Sequence, residues 1–179
     1  MEKKLILNAL QIEITLSRLS HQLIENHQDF SDTILLGLQP RGIFLLDALV
    51  EKLTTILSKK IVFGYLDTTF HRDDFRKREV ALRPNSTKIE HSLENKKIIL
   101  IDDVLYTGRS VRAALDAMLS FGRPSQVEML TLINRLYTRD LPIEPNYSGI
   151  EVNTLEHQKV IVEWKNKDIA ENQVWLVWH

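Results

Sequence analysis

Lys97-Ile98-Ile99-Leu100-Ile101-Asp102-Asp103-Val104-Leu105-Tyr106-Thr107-Gly108-Arg109-Ser110 is the stretch whose reading decides the fold. Ile98 to Ile101 is an unbroken apolar run, which suits a strand buried on both faces of a parallel sheet. Two adjacent carboxylates, Asp102 and Asp103, stand where that strand is expected to end, and a short polar turn containing Gly108 follows. Val111, Ala114, Leu115, Met118 and Leu119 then recur at helical spacing, until Gly122 and Pro124 stop the helix.

A loop between a strand and a helix N-terminus offers unpaired backbone N–H groups and the positive end of the helix dipole. Such a loop suits a phosphate. Thr107 and Ser110 add hydroxyl donors, and Gly108 lets the backbone come close. Asp102 and Asp103 would repel the phosphate itself. They suit hydroxyl groups on the same ligand, or a divalent cation that shields them. A ligand with a phosphate at one end and a diol in the middle is a ribose 5-phosphate.

Working outward, Thr33 to Leu38 reads as a second short apolar strand, running into Gly37-Leu38-Gln39-Pro40-Arg41-Gly42 and then a helix marked by Leu46, Leu49, Val50, Leu53 and Leu57. Arg41, between Pro40 and Gly42, has a guanidinium that can bond two phosphate oxygens at once. Taken alone, this turn is equally well an exposed loop. A phosphate loop already placed at Thr107 favours a second anion site here, because open parallel sheets collect ligands at the carboxyl ends of their strands. Asn8 to Gln28 reads as a helix with an apolar stripe of Ile12, Leu16, Leu19 and Leu23. Ser17, Arg18 and His21 lie near one side of that stripe and are expected on a solvated face.

Lys60 to Thr69 reads as strand, followed by a polar, basic segment from His71 through Ser86. Arg72, Arg76, Lys77 and Arg78 suit a flexible loop that closes over a diphosphate, excludes water and supplies positive charge. His71-Arg72-Asp73 is not a kinase catalytic loop: Arg78 stands where asparagine is needed, and no glycine-rich loop precedes it. Gln126 to Leu132 is a further strand, the stretch with Pro142, Pro145 and Gly149 reads as loop, and Lys159 to Trp164 and Gln173 to Trp178 read as two late strands. Trp164, Trp175 and Trp178 are expected in packing rather than in base stacking. Strand–helix alternation through Leu132 predicts an α/β protein with a central parallel sheet flanked by helices, the late strands forming a small cap beside it.

The chain of 179 residues suits a single domain, 1–179. A formal net charge of -1 provides no global drive toward nucleic acid or anionic membrane. Absence of cysteine excludes disulfides, thiolate catalysis and thiolate metal sites. No stretch approaches the ~20 apolar residues of a membrane span, so a cytoplasmic protein is expected.

Ile98 to Ser110 resembles the phosphoribosyl pyrophosphate signature of type I phosphoribosyltransferases. Asp-Asp-Val-Leu-Tyr-Thr-Gly-Arg-Ser at 102–110, then Val-Arg-Ala-Ala-Leu-Asp-Ala and Gly-Arg-Pro-Ser, is most similar to the bifunctional pyrimidine-operon attenuator and uracil phosphoribosyltransferase family. The resemblance runs from the first helix to about Lys165. It implies the type I fold with a small hood, and formation of UMP and pyrophosphate from uracil and phosphoribosyl pyrophosphate with Mg²⁺. By it, Thr107, Gly108, Arg109 and Ser110 hold the 5-phosphate. Asp102 and Asp103 hold the ribose diol and the Mg²⁺ shell, through hydroxyls or water. Pro40, Arg41 and Gly42 hold pyrophosphate in a turn that in the family often has a non-proline cis peptide. Arg72 and its basic neighbours cover it. Arg41, Arg72, Asp102 and Asp103 are thus the expected catalytic group. Backbone of Lys159, Val160, Ile161 and Val162 in the hood would read the base. Relatives are dimers or larger, so a homodimer or higher homo-oligomer is expected, with Val174 to Trp178 as a candidate interface strand.

Two other readings stay open. One is a purine or xanthine phosphoribosyltransferase, against which Tyr106 counts, since the 6-oxopurine members usually have aspartate there. The other is a uridine-nucleotide-sensing, RNA-binding attenuator with little catalysis. Ser17, Arg18 and His21 lie in a segment that contributes to the family's RNA surface. The Arg-Gly-His-Arg run of RNA-binding members is Arg135-Leu136-Tyr137-Thr138-Arg139 here, and Glu144 and Ile150 stand where basic residues are typical. RNA affinity needs cations on phosphates, so catalysis is expected to be kept and RNA binding to be weak or lost.

Overall fold

The computed structural model describes residues 2–69, 86–155 and 157–178. The first elements are strand β1 (Lys3–Leu7), helix α1 (Ala9–His27), β2 (Thr33–Leu38), α2 (Gly42–Leu57) and β3 (Phe63–Leu66). They are followed by β4 (Lys97–Leu105), α3 (Arg109–Met118), β5 (Gln126–Leu136), β6 (Tyr147–Asn153), β7 (Gln158–Glu163) and β8 (Gln173–Trp178).

Helix α1 starts where a capping box predicts. Asn8 Oδ1 accepts from Gln11 N–H and Gln11 Oε1 accepts from Asn8 N–H, each at 2.9 Å. Its stripe of Ile12, Leu16, Leu19 and Leu23 is buried, each residue contributing about 2 kcal/mol of transfer free energy. It packs with Leu45, Leu46, Leu49 and Leu53 of α2 on one face of the sheet, against Leu35, Ile99, Ile101, Leu130 and Leu132. The other face puts Ile34, Leu36, Ile98 and Leu100 against Val111, Ala114 and Met118 of α3. This two-sided burial is what the continuous apolar run of β4 requires.

The main sheet has the order β3-β2-β4-β5-β6, and every pairing in it is parallel. A second, antiparallel sheet has the order β1-β8-β7 and forms the hood. Two strands, β1 and β6, are not expected from the sequence. β1 was hidden because Lys3 and Lys4 mask a five-residue strand whose partner, β8, lies at the far end of the chain. β6 replaces part of the loop that Pro142, Pro145 and Gly149 predict, and Gly149 lies inside it. A Cβ there would come 2.3 Å from the Leu132 carbonyl oxygen, so the glycine permits close strand approach. β5 also runs on to Leu136, four residues past its expected end.

β8 lies between β1 and β7 within one chain, which buries Val174 and Val177. Within the chain this burial comes from the flanking strands β1 and β7. Trp164 is buried, and Trp175 donates through Nε1 to Glu163 at 2.9 Å under the Lys3 ammonium, so both are packing residues.

Candidate functional site

β4 does not end at its carboxylates. It continues through Asp102 and Asp103 to Leu105, with Asp102 opposite Thr131 and Val104 opposite Ile133 of β5. The strand therefore runs past the end that the sequence predicts at these carboxylates. Side chains in a strand alternate between faces, so the two diverge. Asp102 is half-buried and lines a cavity of about 100 Å³ with Tyr106, Thr107, Gly108 and Ser110. Asp103 turns to the α2 face, is buried, and accepts from Arg41 Nε at 2.8 Å. Burial pushes the Asp103 carboxyl upward, and the Arg41 guanidinium opposes that shift.

Arg41 reaches this position because α2 starts hard against β4. The peptide bond Gln39–Pro40 is cis, so the cis link of this turn involves proline. A Cβ on Gly42 would come 2.3 Å from the Ile101 carbonyl oxygen, so only glycine allows this contact. Arg41 also donates through Nη2 to the carbonyl oxygen of Val162 in β7. One guanidinium thus joins the β2–α2 turn, the buried carboxylate of β4 and the hood. Of the expected base-reading residues, Lys159 to Val162 all lie on β7, and the Val162 carbonyl is the one held by Arg41.

Gly108 has φ of +87°, and a Cβ there would press on Ile143. It is the residue before α3, so the turn Tyr106-Thr107-Gly108 delivers the chain directly into a helix N-terminus, where backbone N–H groups lack intrahelical partners. Arg109 N–H approaches Thr107 Oγ1 at 3.4 Å, and Arg109 Nε donates to Asp140 Oδ2 at 2.9 Å. Tyr106 is half-exposed, and its ring lies 3.9 Å from the guanidinium carbon of buried Arg135. Burial pushes the Arg135 guanidinium downward from its usual range.

Arg41, Asp102, Asp103, the 106–110 turn and β7 therefore meet at the carboxyl edge of the parallel sheet. Arg72, Arg76, Lys77 and Arg78 lie outside the described residues. No group of three or more histidine, aspartate or glutamate side chains able to hold a metal occurs among the described residues. Asp102 and Asp103 supply hard oxygen donors, fitting a magnesium ion held jointly with a ligand's own oxygens rather than in a protein cage. A larger cavity of about 550 Å³ lies between α1 and α2, but it contains no signature residue and is bordered by the Lys52–Glu13 ion pair.

Sequence reasoning missed the residues behind the turn. Asn134, Arg135, Arg139 and Ile143 pack against it, and the sequence marks Arg135 and Arg139 only as part of a departure from an RNA motif. No local signal marks a residue whose role is to accept or occupy another loop's backbone.

Residues 3–167 match the family model described as "Phosphoribosyl transferase domain". The chain is similar to the Bifunctional protein PyrR of Halalkalibacterium halodurans, 40% identical over 167 residues, covering 92% of each chain. It is also similar to that of Enterococcus faecalis, 36% identical over 171 residues, covering 96% of this chain and 95% of the relative. Among solved structures it resembles the hypoxanthine phosphoribosyltransferase of Trypanosoma cruzi, with TM-score 0.71 at 10% identity, covering 98% of this chain and 96% of that one. The hypoxanthine phosphoribosyltransferase of Staphylococcus aureus gives TM-score 0.65 at 19% identity, covering 84% and 78%. At these identities the structural likeness concerns the fold.

Proposed function

The chain belongs to the phosphoribosyl transferase domain family and, within it, to the bifunctional PyrR proteins, and on that premise we propose how its residues carry the uracil phosphoribosyltransferase reaction. Uracil and phosphoribosyl pyrophosphate give UMP and pyrophosphate. The bond between C1 of the ribose and the pyrophosphate oxygen breaks, uracil N1 bonds to C1, and the N1 proton is lost.

The observation that supports this reading best is the convergence of a helix-capped turn, Asp102 and Arg41 on one edge of the sheet. The 5-phosphate binds the amides of 106–108 and the start of α3, with the Thr107 and Ser110 hydroxyls. Asp102, beside that cavity, takes the ribose hydroxyls. Arg41 exchanges its contact with Asp103 for the pyrophosphate oxygens, which frees the Asp103 carboxylate for the second hydroxyl or for magnesium. Bound with the substrate, Mg²⁺ supplies Lewis-acid stabilisation of the departing pyrophosphate. Arg72, Arg76, Lys77 and Arg78 add positive charge over the leaving group. The base lies under β7, where the backbone of Lys159 to Val162 offers alternating donors and acceptors. Residues 1–179 act as one phosphoribosyltransferase domain, in the cytoplasm and as a homodimer or larger assembly. No helix of the described residues is long and apolar enough to cross a membrane.

A base panel tests the substrate. With Mg²⁺ and phosphoribosyl pyrophosphate, uracil should yield nucleotide, and hypoxanthine, guanine and xanthine should yield none above background. Product from a purine base and none from uracil would reverse the assignment.

RNA binding is weak or lost in this chain. Arg18 spends its guanidinium on the carbonyls of Ser148 and Gly149, and Glu144 stands 3.5 Å from Arg139. A filter-binding titration with pyrimidine leader RNA should give only weak, strongly salt-dependent retention. Tight, sequence-selective retention that persists near physiological salt would contradict this.

A further inference from the structure

Arg135, near the end of β5, and Arg139, in the β5–β6 connection, both point inward. Arg135 is buried. Its Nε donates to Thr154 Oγ1 at 3.0 Å and its Nη2 to the Gln158 carbonyl at 3.1 Å. Arg139 has only 13% of its side chain exposed. Its Nη1 donates to the carbonyls of Tyr106 at 2.5 Å, Arg135 at 2.8 Å and Leu105 at 3.4 Å. Its Nε donates to the Ile143 carbonyl at 2.8 Å, and its Nη2 to Asn134 Oδ1. Only a planar five-donor fork can serve carbonyls in so many directions.

The same segment takes the next carbonyl of the turn as well. Asp140 N–H donates to the Thr107 carbonyl at 3.1 Å, and Leu141 N–H at 3.3 Å. Three successive carbonyls, of Leu105, Tyr106 and Thr107, are therefore drawn toward the β5–β6 connection. In a planar trans peptide the C=O and the following N–H point in opposite directions. Fixing those carbonyls turns the amides of Tyr106, Thr107 and Gly108 away from the connection. These are the amides that a phosphate in this turn would need.

We propose that the connection from Asn134 to Ile143 is a brace that aims the amides of the 5-phosphate turn, with Arg139 as its positioning residue. This rests on the phosphoribosyltransferase reading of the site. Arg139 touches no substrate; it acts by holding the turn's carbonyls. The brace is specific to the 5-phosphate end, because Arg41 and its pyrophosphate turn share no hydrogen bond with Arg139.

Calorimetric titration of the full chain with UMP and, separately, with magnesium pyrophosphate tests this, using wild type, Arg139→Met and Arg139→Lys. Circular dichroism checks folding, and Arg139→Lys, which keeps charge and length, carries the test if Arg139→Met fails to fold. The expected result is UMP affinity lowered about 10- to 100-fold in Arg139→Met and about 10-fold in Arg139→Lys, with pyrophosphate affinity unchanged. A folded variant with wild-type UMP affinity would overturn the brace, and so would equal losses for both ligands, which would mark general destabilisation. Wild-type protein that binds neither ligand would instead remove the underlying phosphoribosyltransferase reading, and the brace with it.

Discussion

Uracil turnover is expected to fall at least about a thousandfold when Asp102 and Asp103 are both replaced by alanine, the scale of losing preorganised charge at a reacting centre. The two carboxylates fail for different reasons. Asp102 lines the cavity beside the Thr107 turn, so Asp102→Ala removes the partner of the ribose hydroxyls directly. Asp103 faces the other side of the sheet and holds Arg41 at 2.8 Å, so Asp103→Ala acts on both ends of the site. It deletes a carboxylate and leaves the pyrophosphate arginine without its anchor. The fold should survive the double change. Removing one partner of a fully buried ion pair is strongly destabilising, but the Arg41 side chain is 50% exposed and can be hydrated. Steady-state rates with uracil varied at saturating phosphoribosyl pyrophosphate, together with a thermal melt, measure both halves. Activity retained within tenfold of wild type, in a protein that melts normally, would remove these residues from the reaction.

The divergence of Asp102 and Asp103 shows where the sequence stopped being legible. The apolar run Ile98 to Ile101, the glycine turn and the periodic helix after it were readable because each follows from local rules of burial and capping. From these came the parallel sheet, the order of β2, α2, β4 and α3, and the placement of Arg41 near the signature. How far β4 extends was not readable. Carboxylates usually end an apolar strand, but here pairing with β5 carries the strand on to Leu105, and period-two alternation then separates the aspartates. The hood was legible only in its late strands, because β1 joins it from the opposite end of the chain. Arg135 and Arg139 illustrate a further limit. The sequence places them in a run that departs from an RNA motif, whereas their direction is set by carbonyls of Leu105, Tyr106 and Gln158 that only the tertiary fold brings near.

Gly42→Ala is the substitution expected to damage fold and site together. An added Cβ would lie 2.3 Å from the Ile101 carbonyl oxygen and 3.0 Å from Asp102 Cα. Both are backbone atoms of the central strand, so no side chain can swing away to relieve the overlap. α2 has to retreat from β4. Overpacking of this kind costs about 3 kcal/mol, which for a domain of this size lowers the melting temperature by roughly 6–12 °C. The retreat carries Arg41 away from Asp103 and from the Val162 carbonyl, because Arg41 immediately precedes the helix. A misplacement near 1 Å in a positioning group costs on the order of a hundredfold in rate, so the surviving folded protein should turn over uracil about a hundredfold more slowly. Gly37→Ala is the comparison. The Cβ there would meet Leu46 Cδ2 at 2.9 Å, a side-chain end that can shift, with Leu46 Cβ at 3.1 Å and Ile43 Cα at 3.2 Å, and none of these nearest atoms belongs to the backbone of the central strand. Gly37→Ala should therefore cost less stability and leave most of the activity. Melting curves and rates for the two variants at one temperature decide the matter: equal effects would mean that the approach of α2 to β4 does not set the position of Arg41.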